Sequence, residues 1–562
     1  MSAVIFPNVW ARNGLFAFSG LDGNTDYYRP FVGSLLPDQV GVYLHVNPPC
    51  VLRWPDSPQV LDRRRSVVAG DCLVLYREGE ERPFLTCAFL DQYTLVGRGA
   101  APELTSAAPV RSFVPDPAGT VVVRAQGDRF ACAFGETQED AARAADEALA
   151  ESPEEMVEAR LAVLRGLPQP PFEDDARRGA YYKAFSILKC NTYSPQGDIT
   201  VRWTTPDRWP HRHMWLWDSA FHALGLSRLS GRLAQESLEA VLSRQQPDGF
   251  IPHVMAPGAG RLSDLTQPPV LAWACWRTYR LCADRPFLEW AYPRLSAYLG
   301  WDLEYRDADG DGLLEWRKDE ESVLCHCGES GMDNSPRFDR PGLQPAVDFN
   351  AMFSAECAAM ARIAAVLGRG EDAFAWLSLR ESHRRLMEAW LWSSDHGLYL
   401  DRIGSDWVEV PTVASFTPLY ARVPGEERAA RLVESLRDPE RFWRALPVPS
   451  VAADHPEYSD DMWRGPTWLN LNYLVAEGLL QYGHRDLALE LAERTVGEVA
   501  RWYEREGCLF EYYDPEGVRS PASLSRKRNT GIGVIRDYGW SAAMYIEFCH
   551  LLNDPEGFEA IL

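Results

Sequence analysis

The chain has 562 residues. A single hydrophobic core rarely organises so long a chain, so two or more domains are expected. Its 80 acidic and 57 basic residues give a formal net charge of −23. Such a surface repels nucleic-acid phosphates and anionic lipid, which excludes both as expected partners. An anionic substrate would need its own local arginine or lysine. The oligomeric state does not follow from the composition.

The N-terminal segment and the cysteines predict a cytoplasmic protein. Residues 1–10 lack the basic and apolar regions of a signal peptide, and no apolar run is long enough to span a bilayer. The twelve cysteines show no disulfide spacing, and most lie among apolar residues, as buried free thiols do. Cys325 and Cys327 flank His326 and could ligate a metal, but no second pair follows at zinc spacing.

The first quarter of the chain has the pattern of β structure. Short apolar runs, separated by Gly, Pro and Asp, lie at 40–46, 66–76, 83–90, 93–96, 121–125 and 130–134. They predict an N-terminal antiparallel β-sandwich domain over residues 1–136. Residues 137–164 are rich in Ala and Glu, and Thr137 with Asp140 fits a helix N-terminal cap. A linker helix is therefore assigned to 137–172, ended by Pro168, Pro170 and Pro171.

The rest of the chain, residues 173–562, is predicted to be helical. Twelve segments are expected near 175–190, 218–229, 232–245, 267–283, 286–304, 346–367, 371–392, 412–421, 425–436, 466–482, 485–504 and 540–552. Several show an apolar face at helical spacing, such as Phe374, Leu377, Leu386 and Trp390. Twelve helices in six hairpins can close into a double-layered ring, the (α/α)6 barrel. A helical solenoid is the competing arrangement, but no repeat of fixed period is present.

Tryptophans and polar groups meet in the first loop-to-helix segments of this region. The chain has 20 tryptophans, which suit stacking on sugar rings, although most tryptophans in proteins are core residues. In segment 213–222, Trp217 could stack on a sugar while Asp218 accepts two hydroxyl hydrogen bonds. Taken by itself, Asp218 is better interpreted as a cap of its helix. The turn 245–253 adds the Gln245 amide and the His253 imidazole.

An acidic loop resembles the start of a calcium site. Asp307, Asp309 and Asp311 place oxygen ligands at alternate positions and are followed by glycine. Lys318 stands at the twelfth loop position, where an acidic residue is expected, so calcium would need ligands from elsewhere. The alternative is an Asp-Gly turn without metal.

Two further loops supply candidate catalytic carboxyl groups. In segment 329–337, Gly331 allows close approach of a ligand, and Asp333 beside an apolar neighbour would have the raised pKa of a general acid. In segment 509–515, Glu511 lies among aromatic residues and could activate a single water molecule. The alternatives are a hydrogen-bonded polar loop for Asp333 and an exposed loop residue for Glu511.

Five motifs, taken together and in this order, resemble glycoside hydrolase family 63. They are Trp217-Asp218-Ser219, the turn 245–253, Glu329 to Pro336, the string WRGPTWLN at 463–470, and Glu511 to Pro515 with Trp540-Ser541-Ala542-Ala543. The resemblance implies an (α/α)6 barrel, inversion at the anomeric carbon and no organic cofactor. In the family's pattern Asp333 matches the general acid and Glu511 the general base.

The resemblance also implies a sugar-binding subsite. Its matching positions are Trp217, Asp218, Gln245, Arg464 and Trp468, and we add His253, Gly331 and Trp540 from the same motifs. One departure is a longer segment at 518–537, which carries Arg519, Arg526, Lys527, Arg528 and Arg536. We interpret this segment as a solvated loop, with recognition of an anionic aglycone as the alternative.

These features together predict an inverting hydrolase of an α-glucoside or α-mannoside. The substrate would be a small conjugate such as glucosylglycerate or mannosylglycerate, or a short α-gluco-oligosaccharide. Inversion requires the Asp333 and Glu511 carboxyl groups to lie roughly 6.5–9.5 Å apart. One alternative is a sugar epimerase that uses His213, His222 and His253, and another is a carbohydrate-binding protein without catalysis.

Overall fold

The N-terminal part of the chain forms two antiparallel sheets. The structure, a computed structural model, describes residues 5–112, 114–170, 172–322 and 324–555. The strands are β1 (Leu15–Ala17), β2 (Val32–Leu35), β3 (Gly41–Leu44), β4 (Cys50–Arg53), β5 (Val67–Val68), β6 (Cys72–Leu75), β7 (Leu85–Asp91), β8 (Thr94–Gly99), β9 (Glu103–Ser106), β10 (Thr120–Gln126) and β11 (Arg129–Gly135). One sheet has the order β1-β2-β3-β4-β9 and the other β10-β11-β8-β7-β6-β5.

Aromatic side chains join the two sheets. The rings of Phe16 on β1 and Phe89 on β7 have centroids 4.9 Å apart, and Trp54, just after β4, lies 5.8 Å from Phe130 on β11. The predicted N-terminal antiparallel sheet region is confirmed. Four strands were not predicted, β1, β2, β4 and β9, because each has only three or four residues and β9 is largely exposed.

The predicted linker helix is wrong in one respect, because two helices occupy the segment. They are α1 (Gln138–Ala148) and α2 (Pro153–Arg165). Thr137 caps α1, as predicted, by accepting a hydrogen bond from the Asp140 backbone N–H. Ser152 caps α2 in the same way, and proline at the first helical position favours a new start there. Pro171 lies outside the described residues.

All twelve predicted helical segments contain a helix. They are α3 (Asp175–Cys190), α4 (Leu216–Ser227), α5 (Gly231–Leu242), α6 (Leu271–Cys282), α7 (Arg285–Tyr305), α8 (Val347–Val366), α9 (Gly370–Trp390), α10 (Thr417–Tyr420), α11 (Glu426–Leu436), α12 (Leu469–Gln481), α13 (Arg485–Glu506) and α14 (Gly539–Asn553). The loops also hold the short pairs β12 (Thr192–Tyr193) with β13 (Trp203–Thr204), β14 (Met214–Trp215) with β15 (Val254–Met255), β16 (Trp392–Ser393) with β17 (Leu398–Tyr399), and β18 (Arg402–Ile403) with β19 (Asp406–Trp407).

Alternate helices contact one another in a closed order. Helix α4 packs on α6, α6 on α8, α8 on α10, α10 on α12, α12 on α14, and α14 packs back on α4. These helices are buried on nearly every side; in α4 all residues but the last are buried. The helices between them vary in burial: α9 buries only two side chains, whereas most residues of α3 and α5 are buried. No helix of the described residues is long and apolar enough to cross a membrane.

Of the four residues in the predicted apolar face of α9, only Leu386 packs against the core. Phe374, Leu377 and Trp390 are 74%, 49% and 53% exposed, whereas the buried residues of α9 are His383 and Met387. His383 bonds Asn350 of α8 at 2.6 Å, and burial lowers the pKa of His383 to about 4. Helical spacing shows that apolar residues share one face of a helix, but it does not show which face packs against the neighbouring helix.

Buried ion pairs join the sheets to the helices. Lys189 on α3 contacts Asp71 of the sheet region at 2.6 Å and Asp22 at 2.9 Å. Lys183, also on α3, contacts Asp537 at 2.9 Å, and the same carboxylate accepts the Leu15 N–H of β1. Asp537 therefore links β1 and α3 to the segment just before α14.

Candidate active site

A cavity of about 450 Å³ gathers most of the predicted site residues. Its lining includes eight of them: Trp217, Asp218, His253, Gly331, Asp333, Trp468, Glu511 and Trp540. They come from the start of α4, the segment just before β15, the loops before α8 and α12, and the segments on either side of 518–537. The two candidate catalytic carboxyl groups therefore face one cavity.

Four tryptophans form an aromatic wall of this cavity. The rings of Trp463 and Trp468 stack with centroids 3.7 Å apart, and Trp540 meets both Trp217 and Trp468 edge to face. Among the described residues, the buried indole N–H groups of Trp463 and Trp215 have no hydrogen-bond partner. Flat apolar faces beside free donors suit a ligand with C–H surfaces and hydroxyl groups.

Gly331 lets the loop before α8 approach Trp217. It has a left-handed backbone with φ of +70°, and a Cβ atom added there would lie 2.4 Å from Cζ2 of Trp217. We expect Gly331→Ala to destabilise the fold by about 2–4 kcal/mol and to raise KM, because backbone strain adds to a clash that moves Trp217. Urea unfolding measures the loss.

The matched control for this glycine is Gly404→Ala. Gly404 also has a left-handed backbone, with φ of +59°, but a Cβ atom there would meet nothing within 4 Å. Its expected cost is about 1 kcal/mol, the backbone penalty alone. Equal losses in the two variants would show that contact with Trp217 contributes nothing.

Asp218 is a buried carboxyl group in the first turn of α4. It is 2% exposed, and burial raises its pKa well above the ordinary value. The Tyr538 hydroxyl lies 3.5 Å from its Oδ1. Asp218 makes no side-chain cap for α4, so the capping alternative does not apply. A protonated Asp218 can both donate and accept a hydrogen bond from the cavity wall.

The loop that carries Asp333 is fixed on both sides. Before it, Glu329 is fully buried and accepts hydrogen bonds from Arg306 at 2.6 and 2.9 Å and from the Arg317 N–H at 2.7 Å. After it, the buried Arg337 contacts Asp348 in the first turn of α8 and also Asp401. Such anchoring limits the movement of Asp333 relative to the cavity.

Asp333 contacts a cation that the sequence analysis did not predict. Its Oδ2 lies 2.6 Å from the Lys527 Nζ, and both side chains are about one-fifth exposed. Burial of Lys527 opposes its charge, but the Asp333 carboxylate outweighs burial and the pKa of Lys527 is raised.

Glu511 belongs to a buried polar chain. It is 2% exposed, its Oε2 accepts from the Arg526 Nε at 3.0 Å, and the Ile535 N–H also reaches Oε2. The Arg526 guanidinium donates to the His211 Nε2 at 3.0 Å, and His211 Nδ1 lies 2.8 Å from Asp207. Because arginine only donates, His211 accepts on Nε2 and carries its proton on Nδ1.

The segment 518–537 was interpreted as a solvated loop, and that interpretation is wrong for part of the segment, including two of its basic residues. Arg526 is buried and Lys527 lines the cavity, whereas Arg528 is exposed and Arg519 pairs with Asp460 outside the cavity. The charge of these side chains suggested exposure to solvent, but Arg526 pairs with Glu511 and Lys527 pairs with Asp333.

Two predicted sugar ligands lie outside the lining. The Gln245 amide donates to the backbone oxygens of Gly249 and Arg294 and holds its own turn together. Arg464 forms ion pairs with Asp339 and Glu457. Gln267 lines the cavity instead, and its Oε1 accepts a hydrogen bond from the backbone N–H of Trp217. No motif pointed to Gln267.

Some cavity-lining residues that were not predicted stand in or near a motif that was recognised in the sequence, and others do not. Trp463 stands in the same motif as Arg464, His211 stands two residues before His213, and Tyr538 stands two residues before Trp540, so their neighbours in sequence pointed to the site. Arg526 and Lys527 had only the basic composition of their segment.

The acidic loop gathers a fourth carboxyl group. Ligand atoms of Asp307, Asp309, Asp311 and Glu315 lie within 4.8 Å of one another. One carboxyl oxygen each of Asp307 and Glu315 is buried and has no partner among the described residues. Burial, with the neighbouring aspartates, raises the pKa of Glu315 to about 8. Glu315 holds the ninth loop position, which often ligates calcium.

Known glycoside hydrolases are similar to this chain in sequence and in fold. The family model of the mannosylglycerate hydrolase MGH1-like glycoside hydrolase domain matches residues 211–541, more than half of the chain. A mannosylglycerate hydrolase of Thermus thermophilus is 29% identical over 442 residues, which cover 64% of this chain and 98% of that protein. A bacterial glucoamylase structure, complexed with acarbose, is 11% identical with a TM-score of 0.61, covers 100% of this chain and 96% of its own, and shows likeness of fold.

The likeness to a solved mannosylglycerate hydrolase extends to sequence as well as fold. The GH63 mannosylglycerate hydrolase from Thermus thermophilus, in complex with Tris and D-glycerate, is 26% identical with a TM-score of 0.53. The match covers 65% of this chain and 99% of that chain. The chain therefore belongs to the MGH1-like glycoside hydrolases of family 63 and is a glycoside hydrolase.

Proposed function

We propose that the chain is an inverting hydrolase of an α-glucoside or α-mannoside. The observation that carries the proposal is that Asp333 and Glu511, 178 positions apart in sequence, line one cavity with a wall of tryptophans. Paired carboxyl groups facing one sugar site are what glycosidic hydrolysis requires.

In this mechanism Asp333 protonates the departing glycosidic oxygen while Glu511 removes a proton from the attacking water. The sugar would stack on the tryptophan wall, and Asp218 would bond its hydroxyl groups. A general base must carry negative charge, and the Arg526 guanidinium is placed to compensate the charge of the buried Glu511 carboxylate. The charge that develops on the sugar ring is positive, and the ionised Glu511 also favours it.

The substrate is proposed to be a small conjugate such as mannosylglycerate or glucosylglycerate, with a short α-gluco-oligosaccharide as the alternative. Family membership supports the conjugate, and related solved structures contain glucose or D-glycerate. The cavity of about 450 Å³ has room for a sugar unit with a small aglycone.

The scaffold of this proposal is an (α/α)6 barrel over residues 173–562, preceded by a β-sandwich domain at 1–136 and a helical linker at 137–172. The closed order of contacts from α4 to α14 supports the barrel, and the ring contacts between the sheets support the sandwich. We also propose a cytoplasmic location, because all twelve cysteines are free and most are buried.

A sugar epimerase is less well supported. Of its three candidate histidines, His222 lies outside the cavity lining and bonds Thr204 at 3.0 Å. His213 and His253 do line the cavity, but the two carboxyl groups would then have no role. No organic cofactor is needed for hydrolysis.

A screen of α-glucosides and α-mannosides tests the proposed reaction. We expect release of free sugar from at least one conjugate, at a turnover typical of hydrolases. An isomerised sugar without cleavage would favour the epimerase. Binding without any turnover would favour a carbohydrate-binding protein.

We further propose that Asp307, Asp309, Asp311 and Glu315 hold a calcium ion. The buried unpartnered oxygens of Asp307 and Glu315 support this, because a buried carboxylate without a partner is costly and a cation relieves it. The Glu315 N–H donates to the Arg306 carbonyl, and Arg306 pairs with Glu329 in the loop of Asp333. The ion would stabilise that loop and take no part in the chemistry.

Calcium is expected to stabilise the protein more at pH 8.5 than at pH 6. Without metal the folded Glu315 has a raised pKa of about 8, so the folded state binds the extra proton and loses stability as pH rises from about 4.5 to about 8. Calcium competes with that proton, so its stabilisation grows over the same range. At 100 times Kd it amounts to about 2.7 kcal/mol.

Thermal unfolding with calcium or a chelator, at both pH values, measures this effect. Glu315→Gln should abolish most of the calcium increment, and Glu516→Gln, which changes a partly exposed carboxyl group elsewhere, should leave it intact. A midpoint that calcium does not move at pH 8.5 would contradict the site.

A further inference from the structure

A histidine shares the arginine that contacts Glu511. The Nε of Arg526 donates to Oε2 of Glu511 at 3.0 Å, and its Nη2 lies 3.4 Å from Oε1. The same Nη2 donates to Nε2 of His211 at 3.0 Å. Because Nη2 carries two hydrogens, each of the two acceptors can receive one of them. The orientation of the guanidinium therefore depends on His211 as well as on Glu511.

Asp207 holds His211 with both of its carboxyl oxygens. Its Oδ1 accepts the backbone N–H of His211 at 2.8 Å, and its Oδ2 lies 2.8 Å from the ring Nδ1. Asp207 is 2% exposed and lies outside the lining of the active-site cavity, whereas His211 belongs to that lining. An acceptor that binds both the backbone and the ring fixes the position of the imidazole and also its tautomer.

The contact with Arg526 is possible for only one form of the imidazole. A guanidinium has no acceptor, so Nε2 of His211 must be without a proton for the hydrogen bond to form. Asp207 favours that form, because its Oδ2 accepts from a proton on Nδ1. A proton on Nε2 would set two donors against each other and displace the guanidinium. Asp207 therefore determines, through His211, whether Arg526 can keep its place beside Glu511.

The other groups around Glu511 cannot take over the part of Arg526. Among the described residues of the cavity lining, the other lysine or arginine is Lys527, and its ammonium contacts Asp333. The remaining titratable groups that interact with Glu511 are acids and phenols whose pKa burial raises, namely Asp218, Tyr512 and Tyr538. None of them supplies positive charge. Displacement of Arg526 would therefore leave a buried carboxylate without a compensating cation.

We propose that Asp207 and His211 are positioning residues for the general base, and that they act on Glu511 through Arg526. This inference rests on the proposed hydrolase function and adds to it a requirement on the tautomer of one imidazole. No proton passes along the pair. His211 keeps its proton on Nδ1, and Glu511 takes the proton of the attacking water.

Asp207→Asn tests the tautomer directly. The backbone N–H of His211 keeps the amide oxygen at the Oδ1 position, so the amide nitrogen takes the Oδ2 position and donates to Nδ1. The imidazole proton then moves to Nε2 and opposes Arg526. We expect kcat to fall about 10- to 100-fold. KM should stay near the wild-type value, because Asp207 lies outside the cavity lining.

The pH profile separates this role from a purely structural one. In Asp207→Asn the acid limb of kcat/KM should move to higher pH by about 1 unit, because a buried carboxylate without a well-placed guanidinium takes up a proton more readily. A preparation that merely contains less folded enzyme would have lower activity at every pH, and its acid limb would not move.

Two replacements of His211 provide a rescue and a second test. In His211→Gln the amide can rotate to present its oxygen to Arg526. This variant should keep kcat within about 10-fold of the wild type, and adding Asp207→Asn should cost no more than about 2-fold further. His211→Leu removes the acceptor and should lower kcat about 10- to 100-fold. It replaces Asp207→Asn as the test if thermal unfolding shows that Asp207→Asn does not fold.

Asp116→Asn is the matched control. The Asp116 carboxyl group accepts from the indole N–H of Trp209 at 3.2 Å, within the same segment 207–211, and lies outside the active-site lining. Its kcat and acid limb should equal those of the wild type. The proposal is overturned if Asp207→Asn keeps both wild-type properties, or if its loss persists in full in the His211→Gln background. Equal kcat in His211→Leu and His211→Gln would also overturn it.

Urea unfolding gives a readout that does not depend on turnover. Two opposed donors destabilise the fold, so Asp207→Asn should lower the unfolding midpoint, and should lower it less in the His211→Gln background. If this coupling is found while no glycoside is cleaved, the hydrolase function fails and the positioning of Arg526 stands. If glycosides are cleaved and Asp207→Asn changes neither kcat nor the acid limb, the function stands and the positioning role fails.

Discussion

Asp333→Asn and Glu511→Gln are each expected to lower kcat by about 100- to 10,000-fold, the range for loss of a general acid or base. An asparagine in place of Asp333 has no proton of suitable acidity for the leaving group, and a glutamine in place of Glu511 cannot accept a proton from water. Steady-state kinetics on the cleaved glycoside measures both effects. The two losses should not multiply in the double variant, because the groups act in one step.

The folding of these variants should differ. Asp333 is partly exposed beside Lys527, so Asp333→Asn should change stability by about 1 kcal/mol or less. Glu511 is buried against Arg526, and Glu511→Gln should cost more, although the amide oxygen can still accept from Arg526. Asp339→Asn and Glu516→Gln, carboxyl groups outside the cavity lining, should keep near wild-type kcat. Near wild-type kcat in either first variant would show that its assigned role is wrong.

Arg526→Met is expected to destabilise the fold by about 3–5 kcal/mol and to remove most turnover. The change leaves Glu511 buried without its cation, which is the costly way to break a buried pair. It also removes the donor to His211, so the chain from Glu511 to Asp207 is broken. Urea unfolding and kcat, measured on the same preparation, test both parts.

Arg444→Met is the matched control for burial. Arg444 contacts both oxygens of Glu516 at 2.8 and 2.9 Å, so its geometry is at least as good as that of Arg526 with Glu511. That pair is partly exposed, however, and should contribute only about 0–1 kcal/mol. If both variants lose equal stability, burial of the Arg526 pair has no special energetic role.

The helical part of the chain was predictable from the sequence because each helix carries its own local pattern. Even the segment at 412–421, whose pattern was weakest, contains α10 and the 3-10 turn before it. The apolar face of α9 was not predictable, since its contact with α8 depends on how two helices cross. The spacing of residues within one helix contains no information about the angle at which it crosses another.

The cavity-lining residues that belong to a recognised motif were predictable, as for Trp217, Asp333 and Glu511. It was not predictable where neighbours decide the direction of a side chain. Arg464 turns to Asp339 and Glu457, while its neighbour Trp463 lines the cavity. Arg526 and Lys527 line the cavity and pair there with Glu511 and Asp333, and no pattern in a single sequence records such pairings.

The anomer released at the start of hydrolysis tests the central claim most directly. Asp333 and Glu511, acting from opposite faces of the sugar with water between them, must release the β-anomer from an α-glycoside. Proton NMR recorded before mutarotation distinguishes the two anomers. First appearance of the β-anomer is the predicted result. First appearance of the α-anomer would mean a covalent intermediate and would contradict the two-carboxyl mechanism proposed for this cavity.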